Sequence, residues 1–223
     1  MSRGVPPPLP PLVLAAPSGT GKTTIARSLV DGSDRFVFSV SATTRPRRVH
    51  ERDGVDYHFL SPEVFQAMRD EGELAEWAEV HGHLYGTLRR ALSEPASRGE
   101  QVVLDIDVQG ARQLKKVVPE ALLVFILPPS VEVLVERLRG RGTEREGEVL
   151  RRLTNARGEL AAAVEFDFAV VNEHLADAVA EVTDIALAGA GRPREADVLA
   201  DDIARLRREI DLLIEREFTG EQN

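Results

Sequence analysis

Cysteine is absent from the 223-residue chain. That excludes disulfides and thiolate metal sites, and it is consistent with a reducing compartment. Long apolar runs are also missing, with none approaching the ~20 residues needed to cross a bilayer. Basic charge is scarce: 28 Lys and Arg stand against 37 Asp and Glu, a net charge of −9. A general nucleic-acid binder needs a broad basic face to displace counterions from phosphates, so no nucleic-acid partner and no membrane is expected. Any cationic cluster must be local. The first eleven residues carry five prolines and one arginine but no apolar signal core. They are expected to form a flexible, Pro-rich arm, with the cytoplasm as the place of work. What remains is 43% hydrophobic, enough to bury the core of one domain with inserted subdomains.

The stretch that organises the rest is Ala16-Pro17-Ser18-Gly19-Thr20-Gly21-Lys22-Thr23-Thr24. It follows the apolar run Leu12-Val13-Leu14-Ala15 and leads into Ile25-Ala26-Arg27-Ser28-Leu29, the layout of a phosphate-binding loop between a buried strand and a helix. Gly19 and Gly21 let backbone N–H groups turn inward on a phosphate, and the helix N-terminus adds partial positive charge. Lys22 can reach the outer phosphates, and the Thr23 hydroxyl can ligate Mg²⁺. Ala16 stands where the general pattern has its first glycine.

Further along, Phe36–Val40 alternates like a strand and runs into an Arg-rich loop over 41–48. Short strands are expected at Val55–Phe59, Leu74–Val80 and Leu84–Thr87, with a capped helix opening at Ser61-Pro62-Glu63 and another over Leu88–Ser97. Residues of about 41–90 therefore read as an inserted segment with small strands of its own. Strand Val102–Ile106, helix Val108–Val118, strand Leu122–Leu127 and helix Val131–Arg139 then alternate, which implies a parallel sheet covered on both faces. The charge-dense stretch from Gly140 to Arg152 is expected to be a mobile flap. A helix to about Val164, strand Phe168–Val171 and helix His174–Leu187 complete the α/β unit. Leu199, Ile203, Leu206, Ile210 and Leu213 recur at heptad spacing in a C-terminal amphipathic helix over 191–223. That stripe fits a helix packed on its own domain, hence a monomer, or a seam with a second copy.

Phosphoryl transfer between nucleotides is mostly positioning plus charge neutralisation. Beyond the donor loop it needs an acceptor-phosphate pocket, for which Arg45, Arg48, Tyr57 and Tyr85 offer guanidinium forks and phenols. It also needs cations that arrive on closure, for which Arg137, Arg141 and Arg152 flank the flap. Tyr57 and Tyr85 could equally be ordinary strand aromatics, and the arginines a solvated helix face. His81 and His83 have no third metal ligand nearby in sequence and read as surface loop residues.

The motifs APSGTGKTT at 16, SVSATTR at 39, GVDYHF at 54, EWAEVHGHLYGT at 76, LDIDVQGA at 104, FILPPS at 125, RLRGRGT at 137, RRL at 151 and VVNE at 170 occur in an order and spacing that resemble a guanylate kinase. The resemblance spans about residues 12–187. It implies an α/β fold of the P-loop NTPase type, a three-layer α/β/α arrangement with a parallel central sheet, an inserted GMP-binding subdomain and a lid. The implied boundaries are 12–190 for the whole domain, with core 12–40 and 91–190, GMP-binding subdomain about 41–90 and lid about 137–155. The implied reaction moves the γ-phosphate of ATP onto GMP or dGMP, with Mg²⁺ as cofactor.

The resemblance also assigns roles. Residues 16–24 and Asn172 fall on the ATP side, Asn172 near adenine. Ser41, Glu76, Thr87 and Asp107 fall around the guanine base, where a carboxylate suits the N1–H and exocyclic amine that adenine lacks. Arg45, Arg48, Tyr57 and Tyr85 fall on the GMP phosphate. Lys22, Arg137, Arg141 and Arg152 are the catalytic cations, with Thr23 a direct and Asp105 an indirect Mg²⁺ ligand. One segment departs from the family pattern T-T-R-x-P-R-x-G-E: here Pro46 comes one place early and His50 replaces the glycine. That leaves Arg47 as a competitor to Arg48. Two other readings stay open: a non-catalytic guanylate-kinase-like interaction module, and a kinase for another nucleoside monophosphate.

Overall fold

In the computed structural model, residues 9–80, 82–140, 146–188 and 196–218 are described. The fold is α/β with a parallel central sheet. Strand β1 (Leu12–Ala15) is wholly buried, as a four-residue apolar run flanked by prolines and a glycine loop should be. Helix α1 (Lys22–Gly32) follows it directly after the loop. Then come β2 (Phe36–Phe38), β3 (Ala42–Thr43), β4 (His58–Phe59), α2 (Pro62–Asp70), β5 (Leu74–Val80), β6 (His83–Leu88) and α3 (Arg89–Ser97). The alternating half consists of β7 (Gln101–Asp105), α4 (Val108–Val117), β8 (Leu122–Leu127), α5 (Val131–Arg139), α6 (Glu146–Leu160), a 3-10 turn (Ala161–Glu165), β9 (Phe168–Val171), α7 (Leu175–Ala188) and α8 (Ala196–Phe218). The larger sheet has the strand order β2-β7-β1-β8-β9, and the smaller one β4-β3-β6-β5. Among the described residues no helix is long and apolar enough to cross a membrane.

Two compact units emerge: Met1–Val13 with Ala26–Leu122, and Leu14–Ile25 with Leu123–Asn223. In the first, β2 and β7 run parallel with Phe36 beside Gln101. The small sheet carries its own apolar centre, where Phe65 of α2 meets Ala42, Leu74 and Leu88. Helix α2 starts where expected because the Ser61 hydroxyl accepts from the Val64 N–H and Pro62 needs no donor there. In the second unit, β8 and β9 run parallel, Val124 beside Phe168. There α8 packs on α5, α6 and the 3-10 turn. Leu199, Ile203, Leu206 and Ile210 are buried inside the chain itself, so this part of the heptad stripe packs on its own domain.

Three local expectations change. Ala42–Thr43, read as loop, pairs with β6 as a two-residue strand. The strand expected over Val55–Phe59 is confined to His58–Phe59, because Asp56 instead caps a turn through the Arg52 N–H. The charge-dense stretch read as a flap is helical from Glu146 onward, with Val149 and Leu153 buried. Val149, Leu153, Ala156 and Leu160 form a buried stripe that anchors that helix despite its charged surroundings.

Candidate active site

The phosphate loop is shaped by backbone. Gly19 and Gly21 both have φ of +88°, a left-handed conformation in which a side chain is strained. Space is closed as well: a Cβ on Gly21 would lie 2.5 Å from the Asn172 amide nitrogen, and one on Gly19 2.9 Å from Leu138. Between them Thr20 is fully buried, its hydroxyl donating to the Pro17 carbonyl at 2.9 Å. Ala16 is buried too, so the small side chain in place of glycine fits. Lys22 and Thr23 open α1, where the first N–H groups have no helical acceptor and favour an anion.

Three expected side chains converge on this loop. Arg137 donates to the Thr20 carbonyl at 3.2 Å and to the Asn172 carbonyl at 3.3 Å. Arg152 donates to the Ser18 hydroxyl at 2.9 Å and to the Leu138 carbonyl at 3.0 Å. Asn172 is buried, and its amide donates to the Thr20 carbonyl at 2.7 Å. In this arrangement Asn172 braces the loop, whereas the resemblance expects it beside adenine. Arg141 lies outside the described residues, as does His81.

The second cluster belongs to the other unit. Arg45 lies with its guanidinium 5.4 Å from the Tyr57 ring centre and 5.8 Å from that of Phe59. Its Nε donates to the Tyr85 hydroxyl at 3.2 Å, and the two tyrosine rings meet edge to face at 5.9 Å. Arg45, Tyr57 and Tyr85, scattered over forty residues, are thus brought together. Burial, and secondarily the Asp105 carboxylate, pushes the Tyr57 phenol up to about 12, so it stays a neutral donor. Glu51, which has no assigned role in the sequence reading, completes the group. It is buried and accepts from Arg45 Nη2 at 2.7 Å, Arg45 Nη1 at 3.1 Å and the Arg48 N–H at 2.8 Å. Hydrogen bonding to Arg45 holds the Glu51 carboxyl below its ordinary range and raises Arg45 in return. Arg47 and Arg48 are both exposed, and Arg47 donates to the Glu51 carbonyl at 2.6 Å.

A third group sits in the same unit. The register of β5 against β6 shifts between Leu74 and Glu76, an irregularity that re-aims the following side chain. Glu76 then faces Thr87 across the pair, and the Thr87 hydroxyl donates to Glu76 Oε1 at 2.6 Å. Glu76 is 4% exposed and Thr87 is fully buried. Burial pushes the Glu76 carboxyl up to about 7, with the Asp107 carboxylate adding to the rise and Thr87 opposing it. Asp107 caps α4 by accepting the Gly110 N–H at 2.7 Å. Gly110 is required for space, because a Cβ there would lie 2.5 Å from Glu76 Oε2. Gln113 ties α4 to β5 by donating to the Trp77 carbonyl at 2.6 Å. Ser41 is buried beside β3, its carbonyl accepting the His58 N–H. Asp105 ends β7, where parallel sheets place ligand sites. Among the described residues no group of three or more His, Asp or Glu gathers around a metal position.

Glu51, Gly110 and Gln113 are the residues that sequence reasoning passed over. For Glu51 a signal was present: it is the closing acid of the T-T-R segment, three places after Arg48.

Comparison with known proteins places the chain in a family. A family profile described as guanylate kinase matches residues 9–188. A guanylate kinase of Syntrophotalea carbinolica is 52% identical over 176 residues, covering 79% of this chain and 84% of that protein. One of Thermotoga maritima is 51% identical over 173 residues, covering 78% and 84%. The crystal structure of guanylate kinase from Anaplasma phagocytophilum superposes with a TM-score of 0.65 at 29% identity, covering 95% of this chain and 96% of that one. On a profile match over most of its length and relatives at half identity, the chain belongs to the guanylate kinase family.

Proposed function

We propose that this chain transfers the γ-phosphoryl group of ATP to GMP, giving ADP and GDP, and that its two clusters divide the work. The observation that carries the reading of the acceptor is Glu76: a buried carboxylate, held by Thr87 on one oxygen and given room by Gly110 on the other. Once ionised it accepts from the N1–H and exocyclic amine of guanine, and adenine, with a bare acceptor at N1, would leave it unpaired. That mismatch costs about 1–3 kcal/mol. Asp107, Ser41 and Thr87 are the other base-side residues in this reading.

Arg45, Arg48, Tyr57 and Tyr85 hold the acceptor phosphate. Arg48 is favoured over Arg47, because the Arg47 guanidinium already bonds the Glu51 carbonyl. On the donor side, the loop over residues 16–24 cradles the β-phosphate with backbone N–H groups and Lys22 neutralises the outer phosphates. Arg137 and Arg152, already bonded to the loop, bring positive charge to the phosphoryl group as it separates. Arg141 and the segment of about 137–155 act as the lid in this reading, and about 41–90 as the acceptor subdomain. The acceptor phosphate supplies its own nucleophilic oxygen, so no general base is required.

Mg²⁺ fits the donor set, since Thr23 and Asp105 are hard oxygens and Mg²⁺ is held by few protein ligands besides phosphates and water. Bound there, it neutralises charge on the β- and γ-phosphates. The cytoplasm, with its ATP and GMP, is the proposed place of work.

The test is ADP release from purified protein with ATP, Mg²⁺ and GMP, dGMP, AMP or UMP, repeated with Glu76→Gln. Activity on GMP and dGMP, weakened about ten- to a hundredfold in the variant, is the expected result. Activity on AMP or UMP instead would overturn the guanine assignment, and no turnover with any acceptor would favour an interaction module.

A further inference from the structure

Arginine offers five N–H donors. In Arg45 the Nε donor goes to Tyr85, the two on Nη1 go to the Pro46 carbonyl and Glu51 Oε2, and one on Nη2 goes to Glu51 Oε1. One N–H, on Nη2, is left for an acceptor phosphate. The bidentate grip expected of Arg45 from sequence is therefore already taken by a carboxylate of this chain.

That carboxylate has two ways to behave. It could stand in for the phosphate and give way to it, or it could stay and hold Arg45 in place. The surroundings of Glu51 decide between them. Its Oε2 also accepts the Arg48 N–H at 2.8 Å, and its own N–H donates to the Arg48 carbonyl at 3.1 Å. Its carbonyl accepts from Arg47 at 2.6 Å. Glu51 is thus fastened to the 48–51 turn by three bonds that do not involve Arg45. It is also 7% exposed, so removing Arg45 would strand a buried charge without its cation. Exchange of Glu51 for phosphate is the costlier path.

We propose that Glu51 is a positioning residue of the acceptor-phosphate site, an inference that rests on reading this cluster as that site. Glu51 fixes the Arg45 fork over the Tyr57 and Phe59 rings. Arg45 Nε in turn occupies a lone pair of the Tyr85 oxygen, which leaves the Tyr85 O–H proton to point away and donate to a phosphate oxygen. The pair Arg45 and Glu51 is neutral as a unit, so the net positive charge met by the phosphate comes from other arginines of the segment, Arg48 first among them. The same carboxylate places Arg48, through its backbone N–H.

The experiment compares wild type, Glu51→Gln, Arg45→Met and the double variant. Binding of GMP and of guanosine is measured by calorimetry, and KM for GMP and for ATP by coupled assay. In Glu51→Gln, GMP affinity is expected to fall about ten- to a hundredfold, with guanosine affinity and the KM for ATP unchanged. The double variant is expected to bind GMP no more weakly than Arg45→Met, because the two residues act as one unit. Tighter GMP binding in Glu51→Gln would show a competitor and overturn the proposal. Equal loss for guanosine and GMP would show a merely structural role and overturn it as well. If Glu51→Gln proves unstable, the double variant, which removes both charges, carries the test, and additive losses there would overturn the proposal. Wild-type protein that binds GMP no more tightly than guanosine would instead refute the reading of the cluster as a phosphate site.

Discussion

The donor loop and the acceptor cluster are built from different materials. In the loop, most contacts end on backbone atoms: Arg137 and Asn172 on the Thr20 carbonyl, Arg152 on the Leu138 carbonyl as well as the Ser18 hydroxyl, and the turn itself on two glycines of positive φ. In the acceptor cluster side chains satisfy side chains, Arg45 with Glu51 and Tyr85, and Glu76 with Thr87. A backbone site tolerates exchange of a side chain, as Ala16 shows, but not a change of conformation. A site of paired side chains keeps its backbone under substitution and loses its charge balance instead.

The largest expected break in this contrast is at Lys22, a donor-side function that a side chain performs. Lys22→Ala should lower kcat by about a hundred- to a thousandfold with the fold intact, checked by steady-state kinetics and thermal unfolding. Turnover near the wild-type rate would remove Lys22 from the reaction. Gly21→Ala probes the backbone side. The added Cβ meets the Asn172 nitrogen at 2.5 Å in a residue with φ of +88°, and strain of this kind costs about 1–3 kcal/mol. The KM for ATP should rise about tenfold or more while guanosine binding is unchanged; an unchanged KM for ATP would mean the loop geometry is not needed.

A smaller effect sharpens the acceptor side. Glu76 is raised from the ordinary carboxyl range to about 7 by burial, so the folded protein holds that proton more tightly than the unfolded chain does. The associated stability is present below the unfolded pKa and is lost as pH rises through about 7. Glu76→Gln, which has no charge to bury, should therefore stabilise the ligand-free protein by about 1–3 kcal/mol at about pH 8, and by much less at about pH 5. Thermal melts at the two pH values check this, and a loss of stability at about pH 8 would contradict it.

The same contrast explains what could be read from the chain. The loop was legible because a backbone site imposes residue types at fixed spacing: two glycines, a lysine and a threonine after an apolar strand. The alternating strands and helices from β7 to β9 were legible from short apolar runs separated by helix-like stretches. Glu76 was reached through family resemblance, and Tyr57 and Tyr85, offered as phosphate-binding phenols, needed it to be told apart from ordinary strand aromatics. Glu51 carries no role in the sequence, because its partners, Arg45 and the Arg48 amide, come together only once the turn closes. The first turns of the helix from Glu146 were missed for a related reason: charges dominate the local pattern there, whereas the buried apolar residues act through tertiary packing.

The most direct measurement is the KM for GMP of Glu76→Gln divided by that of wild type, followed from about pH 6 to about pH 8. Phosphates of both nucleotides titrate in this range but affect the two proteins alike, so the ratio isolates Glu76. The ratio should rise as pH passes through about 7, because only the ionised carboxylate accepts both guanine donors. A ratio that stays flat across that window would contradict a titrating Glu76 at the heart of GMP recognition.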